Sequence, residues 1–204
     1  MPLMKLKTGK LDNRERKFIY DPDKITRSLQ GQFIRSLGED LSTFYIMQFY
    51  LGDAKYRCLI DPMKPTDENL PKKDEWGTQV MGFTKNIKNG DITEVTQITE
   101  KEYNEASFKN NQIISTKTRI SYRIIKNGDE FNVDIDEYFR PRETIIEVSG
   151  ENLESFVPPE FLKEVTGDAN YSAKGLYETL KKTVIEEANT RQEIINGTGG
   201  YQKP

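Results

Sequence analysis

The sequence predicts an α+β domain: an antiparallel barrel or strongly curved sheet of about eight strands, with short helices around it and a helix towards the C-terminus. Three observations predict it. Short runs with period-two alternation of apolar and polar residues recur along most of the 204 residues. Turn residues join these runs in pairs, most clearly at Asn127-Gly128. The polar faces of several runs carry charges of both signs, as in Lys117/Arg119/Arg123 and Asp134/Asp136.

Element by element, a first strand spans Arg14–Tyr20, with Glu15, Lys17 and Ile19 on one face. Asp21 and Pro22 then suit a helix cap and a first helical position. Ile25, Leu29, Phe33 and Leu37 form its apolar stripe, which ends near Gly38. Thr43–Leu51 and Lys55–Ile60 read as a hairpin about Gly52-Asp53-Ala54. Residues 61–78 form a polar, Pro-containing loop of a length that is usually functional or mobile. Val80–Lys85 and Asp91–Ile98 bracket a second hairpin turn at Asn86–Gly90. Glu100–Phe108 reads as a short helix, and Ile113–Ile125, Phe131–Tyr138 and Thr144–Ser149 as the last strands. Asn152–Phe156 and Pro159–Val165 read as helical pieces. A final helix from Ser172 repeats Leu176, Leu180, Val184 and Ala188 every four residues, followed by a Gly-rich tail over 196–204. The length fits one domain over 1–204, with its core at about 13–178 and the C-terminal helix and tail at 172–204.

Composition narrows the chemistry. Hydrophobic residues make up 35% and charged residues 31%, which favours a soluble protein with a partly polar interior. Lys+Arg number 30 and Asp+Glu 33, so charge balance gives no general argument for nucleic-acid binding. There is no histidine, which excludes Ser-His-Asp and Cys-His catalysis and every His-based metal site. A metal here must take oxygen ligands, which suits Mg²⁺, Mn²⁺ or Ca²⁺. Cys58 is the only cysteine and reads as a small apolar strand residue. The first residues lack the apolar core of a signal peptide, and no apolar run reaches the ~20 residues of a membrane span, so a cytoplasmic location is expected.

The charged strand faces admit two readings. Polar faces of antiparallel strands ordinarily point to water. With five strands involved, a barrel could instead turn those faces inward, placing carboxylates for cations and Lys/Arg for polyphosphate in its lumen. Composition alone leaves both open.

A run of motifs bears on that choice. Asn13-Arg14-Glu15-Arg16-Lys17-Phe18 matches a first-strand E-x-E-x-K pattern except at its first Glu. Gln48-Phe49-Tyr50-Leu51, Tyr56-Arg57-Cys58-Leu59 and Thr84-Lys85 follow, then Ile92-Thr93-Glu94-Val95-Thr96, Lys117-Thr118-Arg119 with Tyr122, Asp134-Ile135-Asp136, and Glu147-Val148-Ser149. The series closes with Glu164-Val165-Thr166-Gly167-Asp168-Ala169-Asn170-Tyr171. In this order the chain resembles the CYTH family, the triphosphate tunnel enzymes that include class IV adenylyl cyclases and thiamine triphosphatases.

The resemblance implies an eight-stranded tunnel-like β-barrel and a reaction on a nucleoside triphosphate or other triphosphate compound, including an RNA 5′-triphosphate end. It implies Mg²⁺ or Mn²⁺. It assigns Lys17, Arg57, Lys85, Lys117, Arg119 and Arg123 to the substrate, and Glu15, Asp134, Asp136 and Glu147 to the metal side. Lys17, Arg119 and Glu147 are the catalytic candidates, and Glu94 would serve the metal or a basic neighbour. Asn13, Thr96 and Ser149 each replace one Glu of a pair, and Ile92 replaces an Arg. Those losses shift the lumen towards anion binding. They leave two expectations: a triphosphate hydrolase or nucleotidyl cyclase, or a catalytically impaired module that binds a phosphate-rich ligand or joins an assembly through a protein partner or a second copy.

Overall fold

The protein is described here as a computed structural model, covering residues 9–12, 15–38, 40–61, 79–89 and 92–198. Most of the loop at 61–78, Asn13 and the end of the tail lie outside the described residues.

One antiparallel sheet organises the chain. Its strands are β1 (Gly9–Asp12), β2 (Arg16–Tyr20), β3 (Asp40–Leu51), β4 (Ala54–Asp61), β5 (Gln79–Asn89), β6 (Ile92–Ile98), β7 (Ser115–Lys126), β8 (Asp129–Tyr138), β9 (Glu143–Gly150) and β10 (Leu162–Glu164). Their order is β1-β6-β5-β4-β3-β7-β8-β9-β2-β10. The three helices are α1 (Arg27–Ser36), α2 (Glu100–Phe108) and α3 (Ala173–Thr198). The α+β class and the hairpin order therefore stand. The expected count and closure change: the sheet has ten strands, and β1 and β10 end it without pairing to each other among the described residues. The sheet nonetheless curls, because Thr93 of β6 and Lys17 of β2, near its opposite ends, border one cavity.

Local chemistry accounts for the elements. Asn127 and Gly128 both adopt positive φ, 56° and 89°, as the tight β7–β8 turn requires. The α1 helix starts later than Asp21-Pro22 suggests, because Thr26 caps it by accepting from the Leu29 N–H at 3.2 Å. Helix α2 opens on a reciprocal capping box between Thr99 and Glu102. The β5 strand extends four residues beyond its expected end at Lys85, so Asn86 and Lys88 are strand residues rather than turn residues. Residues 162–164, expected to be helical, form β10 instead. The free edge of β2 demands a partner there, and the Arg16 guanidinium ties Glu164 to it at 2.7 Å.

Three apolar clusters fix the shape. Phe18, Phe131, Val133, Ile135, Ile146 and Val148 occupy one face of β2, β8 and β9, and Phe33 and Leu37 of the α1 region pack on them. Phe49 and Cys58 meet Tyr103 of α2 and Tyr177 of α3. Ile19, Tyr138 and Ile145 meet Val165 and Leu176. Apolar faces covered by helices leave the opposite, polar faces for the inside of the curl. Among the described residues no helix is long and apolar enough to cross a membrane.

Candidate functional site

Alternation sends every second residue of a strand to the inside. The inward set includes Lys55, Arg57 and Leu59 on β4, Thr84 and Asn86 on β5, Lys117, Arg119 and Ser121 on β7, Asp134 on β8, and Glu147 and Ser149 on β9. Two cavities of about 550 and 440 Å³ lie along this inner face. Arg57, Asn86 and Arg119 line both, so the two are halves of one interior that meet at those side chains.

Arg119 is the centre of the charge network. Its guanidinium donates to Asp134 at 2.7 Å, to both oxygens of Asp136 at 2.6 Å, and to Glu147 at 2.5 Å. Four of about five N–H donors are thereby used. Lys17 donates to Glu147 at 2.6 Å and pairs with Glu15 at 3.0 Å. Lys117, 1% exposed, donates to the fully buried Asp136 and to the Tyr138 hydroxyl at 3.4 Å. Ser121 donates to Asp134 at 2.6 Å.

Burial alone would raise the Glu147 pKa, but Arg119, Lys17 and Lys117 outweigh it and hold the carboxyl well below its ordinary range. Burial likewise opposes the charge on Arg119, and Asp136 and Asp134 overcome it, so the guanidinium stays charged. Glu147 is thus a permanent anion that braces two cations, a poor general base. Lys117 moves the other way: burial and the neighbouring Arg119 bring its pKa down to about 8.

The opposite wall differs. Burial, with Arg57 and Lys117 nearby, holds the Lys55 pKa well below that of an ordinary lysine. No carboxylate among the described residues lies in an ion pair with Lys55 or Arg57. Among the described residues, Arg57 Nε and Asn86 Oδ1 are buried without a hydrogen-bond partner, as are both amide atoms of Gln48, the cross-strand neighbour of Arg57. Buried polar atoms in folded proteins are nearly always satisfied, which sets this wall apart from the braced Arg119 network. Its charge predicts a proton effect. A polyanion set against Lys55 and Lys117 stabilises their charged forms and raises both pKa values, so binding at pH 8 takes up protons. Calorimetric titration with inorganic triphosphate in two buffers of different ionisation enthalpy is expected to give different heats; equal heats would contradict it.

Most sequence-derived site residues fall in this interior. Lys17, Arg57, Lys117, Arg119, Glu15, Asp134, Asp136 and Glu147 lie together there. Arg123 stands at the rim, half exposed and paired with Glu130 at 3.3 Å. Lys85 is corrected: it pairs across strands with Tyr56 and lies over that ring at 5.9 Å, on the face opposite Thr84 and Asn86. Glu94 and Thr96 are exposed, while Thr93 and Val95 face inward. The residues that sequence reasoning missed are Lys55, Asn86 and Gln48. Lys55 was legible, since it sits two residues from Arg57 and shares its face. Asn86 was hidden by ending the strand at Lys85.

The four carboxylates assigned to a metal make no self-contained centre. Among the described residues no group of three or more metal-ligating side chains could hold an ion. Three of them converge on Arg119.

Fold and site together define a curled antiparallel sheet around a charged, two-part interior. Solved structures similar to this one include the inorganic triphosphatase NE1496, at 20% identity and a TM-score of 0.44, covering 85% of this chain and 97% of that one. They also include a candidate adenylate cyclase from Bacillus halodurans, at 14% identity and a TM-score of 0.39, covering 72% and 84%. A third is a protein from Pyrococcus horikoshii, at 16% identity and a TM-score of 0.39, covering 72% and 80%. No family model matches the chain, and no curated protein matches it.

Proposed function

We propose that this chain is a divalent-cation-dependent enzyme acting on a triphosphate compound held in its interior, by hydrolysis or by nucleotidyl cyclisation. The observation that carries the proposal is the wall of Lys55 and Arg57, basic groups with no carboxylate ion-paired to them among the described residues, facing the braced Arg119 across one cavity. The sequence resemblance to triphosphate tunnel enzymes supports the same reading. Lys55 and Arg57 take phosphate oxygens. Lys17 and Arg119, held in place by Glu147, each keep an N–H for the ligand and oppose charge that develops in the transition state. Mg²⁺ or Mn²⁺ would be held by the substrate phosphates with one or two carboxylates and would neutralise phosphate charge there. Glu15, whose one ion pair among the described residues is with Lys17, is the carboxylate that would meet it.

A second reading has its own observation. Arg119 at the convergence of Asp134, Asp136 and Glu147 fits a module that binds a phosphate-rich ligand without turning it over. One panel separates the two. Nucleoside triphosphates, thiamine triphosphate and inorganic triphosphate are incubated with Mg²⁺ and Mn²⁺, and phosphate and pyrophosphate release is measured. Metal-dependent release from at least one compound is expected. Tight binding without release from any would select the binding module.

A further inference from the structure

We infer that Lys55 is a modification site for carbon dioxide, which its amine takes up as a carbamate. The inference stands on the make-up of the basic wall and is independent of the triphosphate reading. Lys55 and Arg57 share the inner face of β4, and Asn86 lies opposite Lys55 on β5. All three border the cavity of about 550 Å³. Seven cationic side chains border that cavity, against three carboxylates. Those three are already engaged: Glu15 and Glu147 pair with Lys17, Glu147 also with Arg119, and Asp53 with Lys174. The cluster around Lys55 is therefore short of negative charge, and a carbamate on Lys55 supplies it.

The neighbours of the amine match the adduct better than they match an ammonium. Arg57 Nε needs an acceptor and Asn86 Oδ1 needs a donor, and neither has one among the described residues. An ammonium carries three donors and no acceptor, so it could serve Asn86 and never Arg57. A carbamate on Nζ carries one N–H and two acceptor oxygens, which serve both. Lys17 and Lys117 donate to carboxylates, which favours their charged forms. Lys55 has no such partner among the described residues, and burial with Arg57 and Lys117 nearby favours its neutral amine. That amine keeps the lone pair that a nucleophile needs. The step balances without an oxidant or a reductant. The lone pair forms the N–C bond, one C=O electron pair moves onto oxygen, and one N–H proton passes to solvent. The product reverses the charge at this position, so carbon dioxide sets the sign that the wall presents at Lys55.

The test equilibrates the folded protein with ¹³C-labelled bicarbonate and carbon dioxide. A trialkyloxonium salt then alkylates the carbamate oxygen, and peptide mapping by mass spectrometry locates the adduct. At about pH 8 each unit by which an amine's pKa is lowered leaves about tenfold more of it neutral, so Lys55 is expected to be labelled at least about tenfold more than the exposed Lys101. Arg57→Met keeps the amine and removes the donor, and is expected to lower labelling of Lys55 by about tenfold, the equivalent of one charge-assisted hydrogen bond. Should Arg57→Met misfold, urea unfolding of the wild type removes the same geometry and is expected to bring Lys55 down to the level of Lys101. Lys55 labelled no more than Lys101 in the folded wild type would overturn the site. Labelling that survives Arg57→Met or urea undiminished would overturn it equally, since the wall would then contribute nothing.

Discussion

Replacing Lys55 and Arg57 together by Met raises the melting temperature and weakens triphosphate binding by about a hundredfold, the equivalent of two lost charge-assisted contacts. The two effects oppose because these groups are a cost to the fold. Desolvation of the half-buried Lys55 amine, with Arg57 and Lys117 nearby, holds its pKa well below that of the unfolded chain. Below the folded pKa the amine is charged in both states, and the full cost of burying that charge is present. As pH rises above the folded pKa the amine becomes neutral in the fold, and the cost falls progressively until the unfolded amine also loses its proton. The gain in stability on substitution is therefore largest in acid and fades towards alkaline pH. Thermal melts from pH 5 to 10, together with calorimetry using inorganic triphosphate, check both halves. A stable variant that still binds at wild-type strength would show that the basic wall does not receive phosphate. A variant that melts lower would show that the wall is structural.

Arg119→Ala acts in the other direction. It leaves Asp134, Asp136 and Glu147 gathered around a position from which the positive charge has gone. Removing one partner of a buried ion network costs about 3–5 kcal/mol, which for a chain of this length is a fall of roughly 10 °C or more in melting temperature. The same geometry predicts a rescue. Three carboxylates freed of the guanidinium can take a divalent cation, so Mn²⁺ stabilises the variant more than it stabilises wild type. Differential scanning calorimetry with and without Mn²⁺ measures both. Equal Mn²⁺ shifts in the two proteins would mean that the carboxylates do not converge as described. The pH dependence has a definite sign too. Glu147 has a folded pKa well below its ordinary value, so its contribution in wild type is present at neutral pH and is lost as pH falls through that depressed value.

Much of this was legible in the residues. Alternation placed Lys117, Arg119 and Ser121 on one face of β7, and Asp134 with Asp136 on one face of β8, where they meet as cross-strand neighbours. The Asn127-Gly128 turn fixed that register from the sequence alone. The motif order anticipated an antiparallel sheet around charged side chains. The misreadings share one origin. Matching Thr84-Lys85 to a Thr-x-Lys pattern placed Lys85 inside, and ending the strand there left Asn86 in a turn. The Glu94 strand suffered the same inversion, with Thr93 and Val95 inward.

The sequence by itself determined which side chains share a face, because a period of two is a local property of an extended backbone. It also determined where hairpins turn and which helices carry an apolar stripe. Only the tertiary structure decided which face is the inside. That depends on how the sheet curls and on which apolar faces α1, α2 and α3 cover, neither of which is written in any one strand. It also decided that Asp134, Asp136 and Glu147 converge on Arg119. Three carboxylates on two strands are neutral about their partner until register brings a guanidinium among them, and in a low-dielectric interior Arg119 then shares them with Lys17 and Lys117.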